Sequence, residues 1–297
     1  MKKEASFTLI ELLVVIGIIG LITTLILLNI NVSDQKQKTK IAKTLELSQS
    51  VQSILGHEAR GIWEFDNNAL DSSGYGNSGT LNNFISPYGY VTETPQRIVS
   101  ASLGQGKYSL SFDGADDNVA VTSAPSFVNI FDNGGTALAW VYPVNDGEVG
   151  SGYIIGKIDV AGVGWNFAWS TLSGGKLPLF FNQNFGVGNN YRELTNAAVV
   201  PINQWSLVGI TYNNSSVNNR ATFYLNGVVQ PSSRTQTPTG TRQSDIGINM
   251  IIGNNLATTR TFNGYIDEVR IYAQALTLGQ IQRQYAEGLE KYAQSSY

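Results

Sequence analysis

The sequence predicts a mainly β protein: an antiparallel β-sandwich behind an N-terminal transmembrane and amphipathic helix, with a short C-terminal helix. Three observations predict it. From Ile62 onward, short apolar runs alternate with turn residues, in ALAWVYP (Ala137–Pro143), WSLVGITY (Trp205–Tyr212), ATFYLNG (Ala221–Gly227), NMIIG (Asn249–Gly253) and GYIDEVRIY (Gly264–Tyr272). Many short strands without a fixed repeat period argue for a sandwich over a solenoid or propeller. Glycine is abundant (31 residues) and charged residues make up only 14% of the chain, while apolar residues reach 42%, which suits turns and strands and argues against disorder. Lastly, Phe7–Ile30 is almost wholly apolar, long enough to span a bilayer and longer than a secretory h-region.

The elements follow in order. MKKEAS precedes the span with Lys2 and Lys3, which favour a cytoplasmic N-terminus, but Lys36, Lys38, Lys40 and Lys43 flank the other end, so charge alone orients the span poorly. The one ionised residue inside it is Glu11. A carboxylate costs about 2.5–3.5 kcal/mol at a helix centre and less near an end. Glu11 therefore either reaches headgroup water or pairs with a cation in a dry assembly. Gly17 and Gly20 are either close-packing sites or the ordinary glycine of spanning helices. Residues 31–60 predict an amphipathic helical neck, with Ile41, Leu45 and Leu55 on a weak apolar stripe. His57, the only histidine, is expected to be exposed near its end; without cysteine or a second histidine a zinc site is not expected. Gly61 marks the break into the sandwich, 61–288. Asn-Gly at 226–227 predicts a hairpin turn. Thr277 with Gln280 forms a capping box opening a helix over 277–297, with Ile281, Tyr285, Leu289 and Tyr292 on one packing face. The net charge of −3, with no basic block after Lys43, gives nucleic-acid binding no support.

SFTLIELLVVIGIIGLI resembles the N-terminus of type IV pilins and of the pseudopilins of related secretion systems. The resemblance implies a leader, Met1–Ser6, removed by prepilin peptidase at the Ser6–Phe7 bond, with N-methylation of Phe7. It also implies inner-membrane insertion with the N-terminus inside, then filament assembly in which Glu11 meets the Phe7 ammonium of a neighbouring subunit. Ser6 departs from the family's usual Gly, and the later helix proline is missing, Leu28 standing about there.

The residues after Ile62 resemble the laminin G-like, concanavalin A-like family. GIWEFDNNALDSSGYGN, YSLSFDGADDNVAV, ALAWVYP, QWSLVGITY, FYLNGV and FNGYIDEVRIYAQALTLGQI occur in the family's order. The resemblance implies a jelly roll of two sheets, six or seven strands each, with one concave face that binds carbohydrate or a surface protein. It also implies a calcium ion in many members. Asp66 and Asp267 are the expected calcium ligands, helped by Asp71 and Asn77; the alternative is Asx-turn capping at Asp71 and Asn77 and a buried, backbone-bonded Asp267. Asp113, Asp116 and Asp117 are expected to form a solvated acidic loop. Trp165 and Trp169 share a strand face. With Tyr153, Phe180 and Asn182 they would floor a concave site, or else they pack in the core. Trp63, Trp140 and Trp205 are expected in the core. Pro87–Ile98 is expected to be a loop.

Catalysis is not expected. Glucanases of this fold use Glu-x-Asp-x-x-Glu on one strand, but here Glu64 and Asp66 are followed by Ala69 at the third position. Asp267 and Glu268, being adjacent, should face opposite ways. The expectation is a filament subunit with a lectin-like adhesive head, displayed at the cell surface after assembly. The alternatives are a membrane-tethered carbohydrate-binding protein that never polymerises, and a type II secretion pseudopilin.

Overall fold

The computed structural model describes residues 59–84, 89–91, 108–186 and 190–292. The chain divides into two compact units, Met1–Gly56 and His57–Tyr297, and the described residues belong to the second. The expected span, Ser6, Phe7, Glu11 and most of the neck lie outside the described residues. Among the described residues no helix is long and apolar enough to cross a membrane.

In chain order the strands are β1 (Ala59–Trp63), β2 (Gly79–Asn82), β3 (Gly89–Val91), β4 (Ser109–Asp113), β5 (Asn118–Val121), β6 (Gly135–Pro143), β7 (Tyr153–Ile158), β8 (Gly164–Trp169), β9 (Lys176–Leu177), β10 (Leu179–Asn184), β11 (Asn190–Thr195), β12 (Val200–Pro201), β13 (Ser206–Tyr212), β14 (Thr222–Leu225), β15 (Val228–Gln230), β16 (Ser232–Gln236), β17 (Met250–Ile252) and β18 (Asn263–Tyr272), followed by helix α1 (Leu278–Tyr292). Two eight-stranded sheets hold most of them. The first runs β15-β14-β13-β6-β18-β4-β3, with β1 also on β18; the second runs β16-β11-β10-β8-β7-β17-β5-β2. The sheets are thus wider than the six or seven strands expected. Polar segments such as β16, SSRTQ, supply the extra edge strands.

The core lies between the sheets, and strand alternation builds it. On β6, Ala137, Ala139 and Val141 face it; on β8, Trp165, Phe167 and Trp169 do. Small residues opposite large ones let the layers interdigitate. Phe131 sets its ring edge-on to Trp165 and Phe181, 5.1 Å from each. The first strand begins at Ala59, before the predicted break, because Ala59, Gly61 and Trp63 share its buried face. Gly61 sits inside that strand, where a Cβ would enter the Trp63 indole. Val208 to Thr211 pair with Leu225 back to Thr222. The hairpin from β14 to β15 turns on Asn226 and Gly227, at φ of 51° and 74°, which is the two-residue geometry the Asn-Gly pair favours. Within the stretch expected as a loop, Gly89–Val91 is a strand on β4.

Helix α1 opens on its capping box. Thr277 N–H donates to Gln280 Oε1 (2.8 Å), and Gln280 N–H to Thr277 Oγ1 (3.3 Å). It packs on the outer face of the first sheet. Tyr285 stacks on Trp140 at 5.7 Å, and Gly288 lies so close that a Cβ would enter the same indole. Ile281 is buried, while Leu289, expected on the same face, is exposed.

Candidate functional site

The outer face of the second sheet presents two neighbouring rows of side chains. Register places Gly156, Asn166, Asn182 and Arg192 side by side across β7, β8, β10 and β11. The next row is Tyr153, Ala168, Phe180 and Leu194. Three of the five expected ligand-binding residues, Tyr153, Phe180 and Asn182, therefore meet on one surface. Trp165 and Trp169 do share a face, but it is the inner one. Both are buried in the core, at 1% and 0% exposure, so they belong to packing and not to a ligand floor. Their size and apolarity decide it: turned outward they would strand the apolar area that the core gains.

Phe180 is the centre of the outer cluster. The Arg192 guanidinium lies 4.5 Å over its ring, and Tyr153 meets it edge-on at 6.4 Å. Burial pushes the Tyr153 hydroxyl above its ordinary pKa, partly offset by Arg260 and Arg192. Asn182 Nδ2 donates to Asn166 Oδ1 at 3.2 Å. The other ends of these amides, Asn166 Nδ2 and Asn182 Oδ1, have no partner, although Asn166 is fully buried. Gly156 beside Asn166 leaves ordinary contact room and no side chain of its own. A small cleft of about 180 Å³ adjoins Tyr153 and is lined by Ile158, Asp159, Asn255 and Leu256. The arrangement gathers the half-buried Tyr153, Asn182 and Arg192 at one surface, over a Phe180 ring that is itself buried at 4% exposure. Asn166 and Arg192 were not foreseen. Alternation sets them opposite Trp165, Phe167 and Tyr191, and the burial of those three in the core makes theirs the outer face.

The expected calcium ligands do not converge. Asp71 Oδ1 accepts Ile62 N–H and Ser73 N–H (both 2.9 Å), and its Oδ2 accepts Asn77 N–H (2.8 Å). It organises the turn as an Asx cap. Asn77 Nδ2 donates to Arg60 O (2.6 Å) and Ser126 Oγ (2.9 Å), and Asp66 Oδ1 accepts Tyr108 N–H (3.2 Å). Asp267 is buried on β18, its Oδ1 accepting Glu268 N–H at 2.9 Å. Glu268, at φ 49°, lies in a bulge, so simple alternation fails there; its carboxylate pairs with Arg270 at 2.5 Å. Among the described residues, the acidic side chains whose oxygens do converge, within 4.8 Å of one another, are Asp113, Asp116 and Asp117. This is the turn expected to be solvated, yet Asp117 is wholly buried. The isolated tryptophans fare as expected in burial: Trp63, Trp140 and Trp205 are 0%, 4% and 3% exposed, although Trp140 is buried under α1 and not between the sheets.

Residues 112–282, more than half of the chain, match the family described as the concanavalin A-like lectin/glucanases superfamily. The chain belongs to this superfamily. Residues 1–27 match the prokaryotic N-terminal methylation motif. The superfamily head is similar in fold to the receptor-binding domain of botulinum neurotoxin mosaic serotype C/D, with a TM-score of 0.54 at 14% identity over 79% of this chain and 52% of that one. It is similar also to the binding domain of botulinum neurotoxin serotype G (TM-score 0.53, 16% identity, 77% and 51% covered). Domain 4 of an extracellular arabinanase from Geobacillus stearothermophilus, solved with arabinotriose, is a third relative in fold (TM-score 0.52, 20% identity, 76% and 97% covered). The chain spans about half the length of the toxin domains that it matches. No curated protein sequence matches it. Residues 1–27 thus carry the motif of N-terminally methylated precursors, and the head has the fold of the lectin/glucanase superfamily. At the three positions of the glucanase pattern, Glu64 is exposed, Asp66 accepts a backbone N–H, and position 69 is a buried alanine.

Proposed function

We propose that this protein is a pilin-like subunit of a type IV pilus or related filament, and that its head binds carbohydrate on the outer face of the second sheet. One observation supports the reading above the others: a prepilin-type methylation motif and a lectin-superfamily sandwich occur in one chain. In this reading prepilin peptidase cuts between Ser6 and Phe7 and methylates Phe7. The span then leaves the inner membrane for a filament core, where Glu11 pairs with a neighbour's Phe7 ammonium. Such a buried pair acts chiefly as a register device.

The head supplies adhesion. Sugar rings lay their C–H faces on aromatic rings while hydroxyls take polar groups at the edge. Phe180 and Tyr153 offer the apolar part; Arg192, Asn166 and Asn182 offer the polar part. The arabinotriose-bound relative shows that a domain of this fold holds a short oligosaccharide. Its low identity carries the fold alone, so the outer-face location rests on the residues described above.

The test is mass spectrometry of the N-terminal peptide from protein made in its native host. The expected mature chain begins at Phe7 and carries one methyl group. A chain beginning at Met1 would overturn filament assembly and leave a membrane-tethered binding protein.

A further inference from the structure

We infer that the β4–β5 turn is a binding site for a hard divalent cation of the calcium class, held by the carboxylates of Asp113, Asp116 and Asp117. The three come from a single stretch, Asp-Gly-Ala-Asp-Asp. Asp113 closes β4, where it pairs with Asn263, and Asp117 immediately precedes β5. Gly114, at φ 82°, makes the tight reversal that folds the acids back on one another.

Their oxygens lie within 4.8 Å of one another, the spacing of ligands around one ion. Convergence alone would be unremarkable for exposed acids. The second observation is Asp117. Its side chain is fully buried, and while its Oδ2 accepts Asp113 N–H at 2.9 Å, its Oδ1 has no hydrogen-bond partner. A buried carboxylate oxygen left without a donor is costly. Among the described residues, no lysine or arginine pairs with any of the three acids. Burial, joined by repulsion from Asp113 and Asp116, pushes the Asp117 carboxyl up to about 6.

The surroundings hold the turn in place. Thr261 Oγ1 donates to Ala115 O (2.8 Å), Asn254 Nδ2 to Asp117 O (3.3 Å) and Asn83 Nδ2 to Asp116 O (3.1 Å). The next acid outward, Glu148, is engaged by Thr261 N–H and Oγ1, both 3.2 Å from its Oε2. These contacts fix the backbone; Asp113 Oδ1 accepts Ala115 N–H at 2.8 Å, and Asp117 Oδ1 is the carboxylate oxygen left buried without a partner. Calcium takes six to eight oxygens in flexible geometry, which a three-acid turn completed by water supplies; magnesium demands a stricter octahedron and keeps more of its water.

The rival arrangement is a proton shared between Asp113 and Asp117, with no metal. The two differ in their response to calcium. The experiment uses the full chain, purified in detergent and stripped with chelator, titrated with calcium chloride and followed by calorimetry and thermal unfolding. The expected result is saturable binding at pH 7.5, weakened by about tenfold in Asp116→Asn, since charge count tunes such sites. Asp116 is exposed, so this variant keeps the fold. The same loss is expected in Asp117→Asn. No saturable binding up to roughly 10 mM calcium, beyond the weakest extracellular modules, would overturn the site. So would binding that Asp116→Asn leaves unchanged. The outcome is independent of carbohydrate binding, which is read separately.

Discussion

The two sheets of the head finish their outer faces differently. On the first sheet the chain covers its own aromatic residue: Trp140 projects outward and α1 lies over it, with Tyr285 stacked on the indole and Gly288 against its edge. Gln284 of the helix accepts from Arg270 of the sheet. On the second sheet no described helix does this. There Phe180, as buried as Trp140 at 4% exposure, is covered by single side chains, among them Tyr153 and Arg192, and two amide groups end without partners. Both faces carry aromatic side chains, so aromaticity alone does not mark a ligand site. What separates them is the kind of cover: a docked helix over Trp140, and individual side chains beside unpartnered amides over Phe180.

This contrast can be broken by mutation. The largest effect is expected on the sealed face. Trp140→Ala should cost about 3–5 kcal/mol, the range for deleting a buried large aromatic, read as a shifted denaturant midpoint. Next is Gly288→Val, which drives a side chain into the indole and should cost about 1–3 kcal/mol as overpacking, with altered tryptophan fluorescence as α1 undocks. Thr277→Ala removes the capping-box hydroxyl and should cost about 1 kcal/mol. The smallest stability effect is expected on the other face. Arg192→Ala removes a cation–π contact worth about 0.5–1 kcal/mol, yet it should reduce carbohydrate binding at least tenfold. If Arg192→Ala destabilised as much as Trp140→Ala, the second face would be structural too and the contrast would fail.

Much of the sandwich was legible because its strands are strongly apolar and punctuated. The β13–β14 pair, the Asn-Gly hairpin and the capping box are local features, and local physics decides them. The site was only half legible. Alternation groups Trp165 with Trp169, and it groups Asn166 with Ala168, but it does not say which group faces inward. That depends on Phe131 and Phe181, which reach Trp165 from elsewhere in the sequence. β11 is harder still: Glu193 faces in and Leu194 out, against hydropathy, because Tyr191, Arg220 and Ser232 satisfy the buried carboxylate. Asp117 was expected in a solvated loop for the same reason. Its sequence reads as a polar turn, and the strands that bury it come from distant parts of the chain. Asp71 shows the reverse case, an acid that looked like a ligand and whose oxygens are spent on three backbone N–H groups.

The most direct test of the lectin-like head is binding of the full-length protein, purified in detergent, to an array of oligosaccharides that includes short arabinans, with wild type, Arg192→Ala and Gly288→Val compared side by side. The account predicts that wild type binds a defined subset, that Gly288→Val binds the same subset despite its lower stability, and that Arg192→Ala loses it. Wild type binding nothing, or Arg192→Ala binding as tightly as wild type, would contradict a carbohydrate site on the outer face of the second sheet.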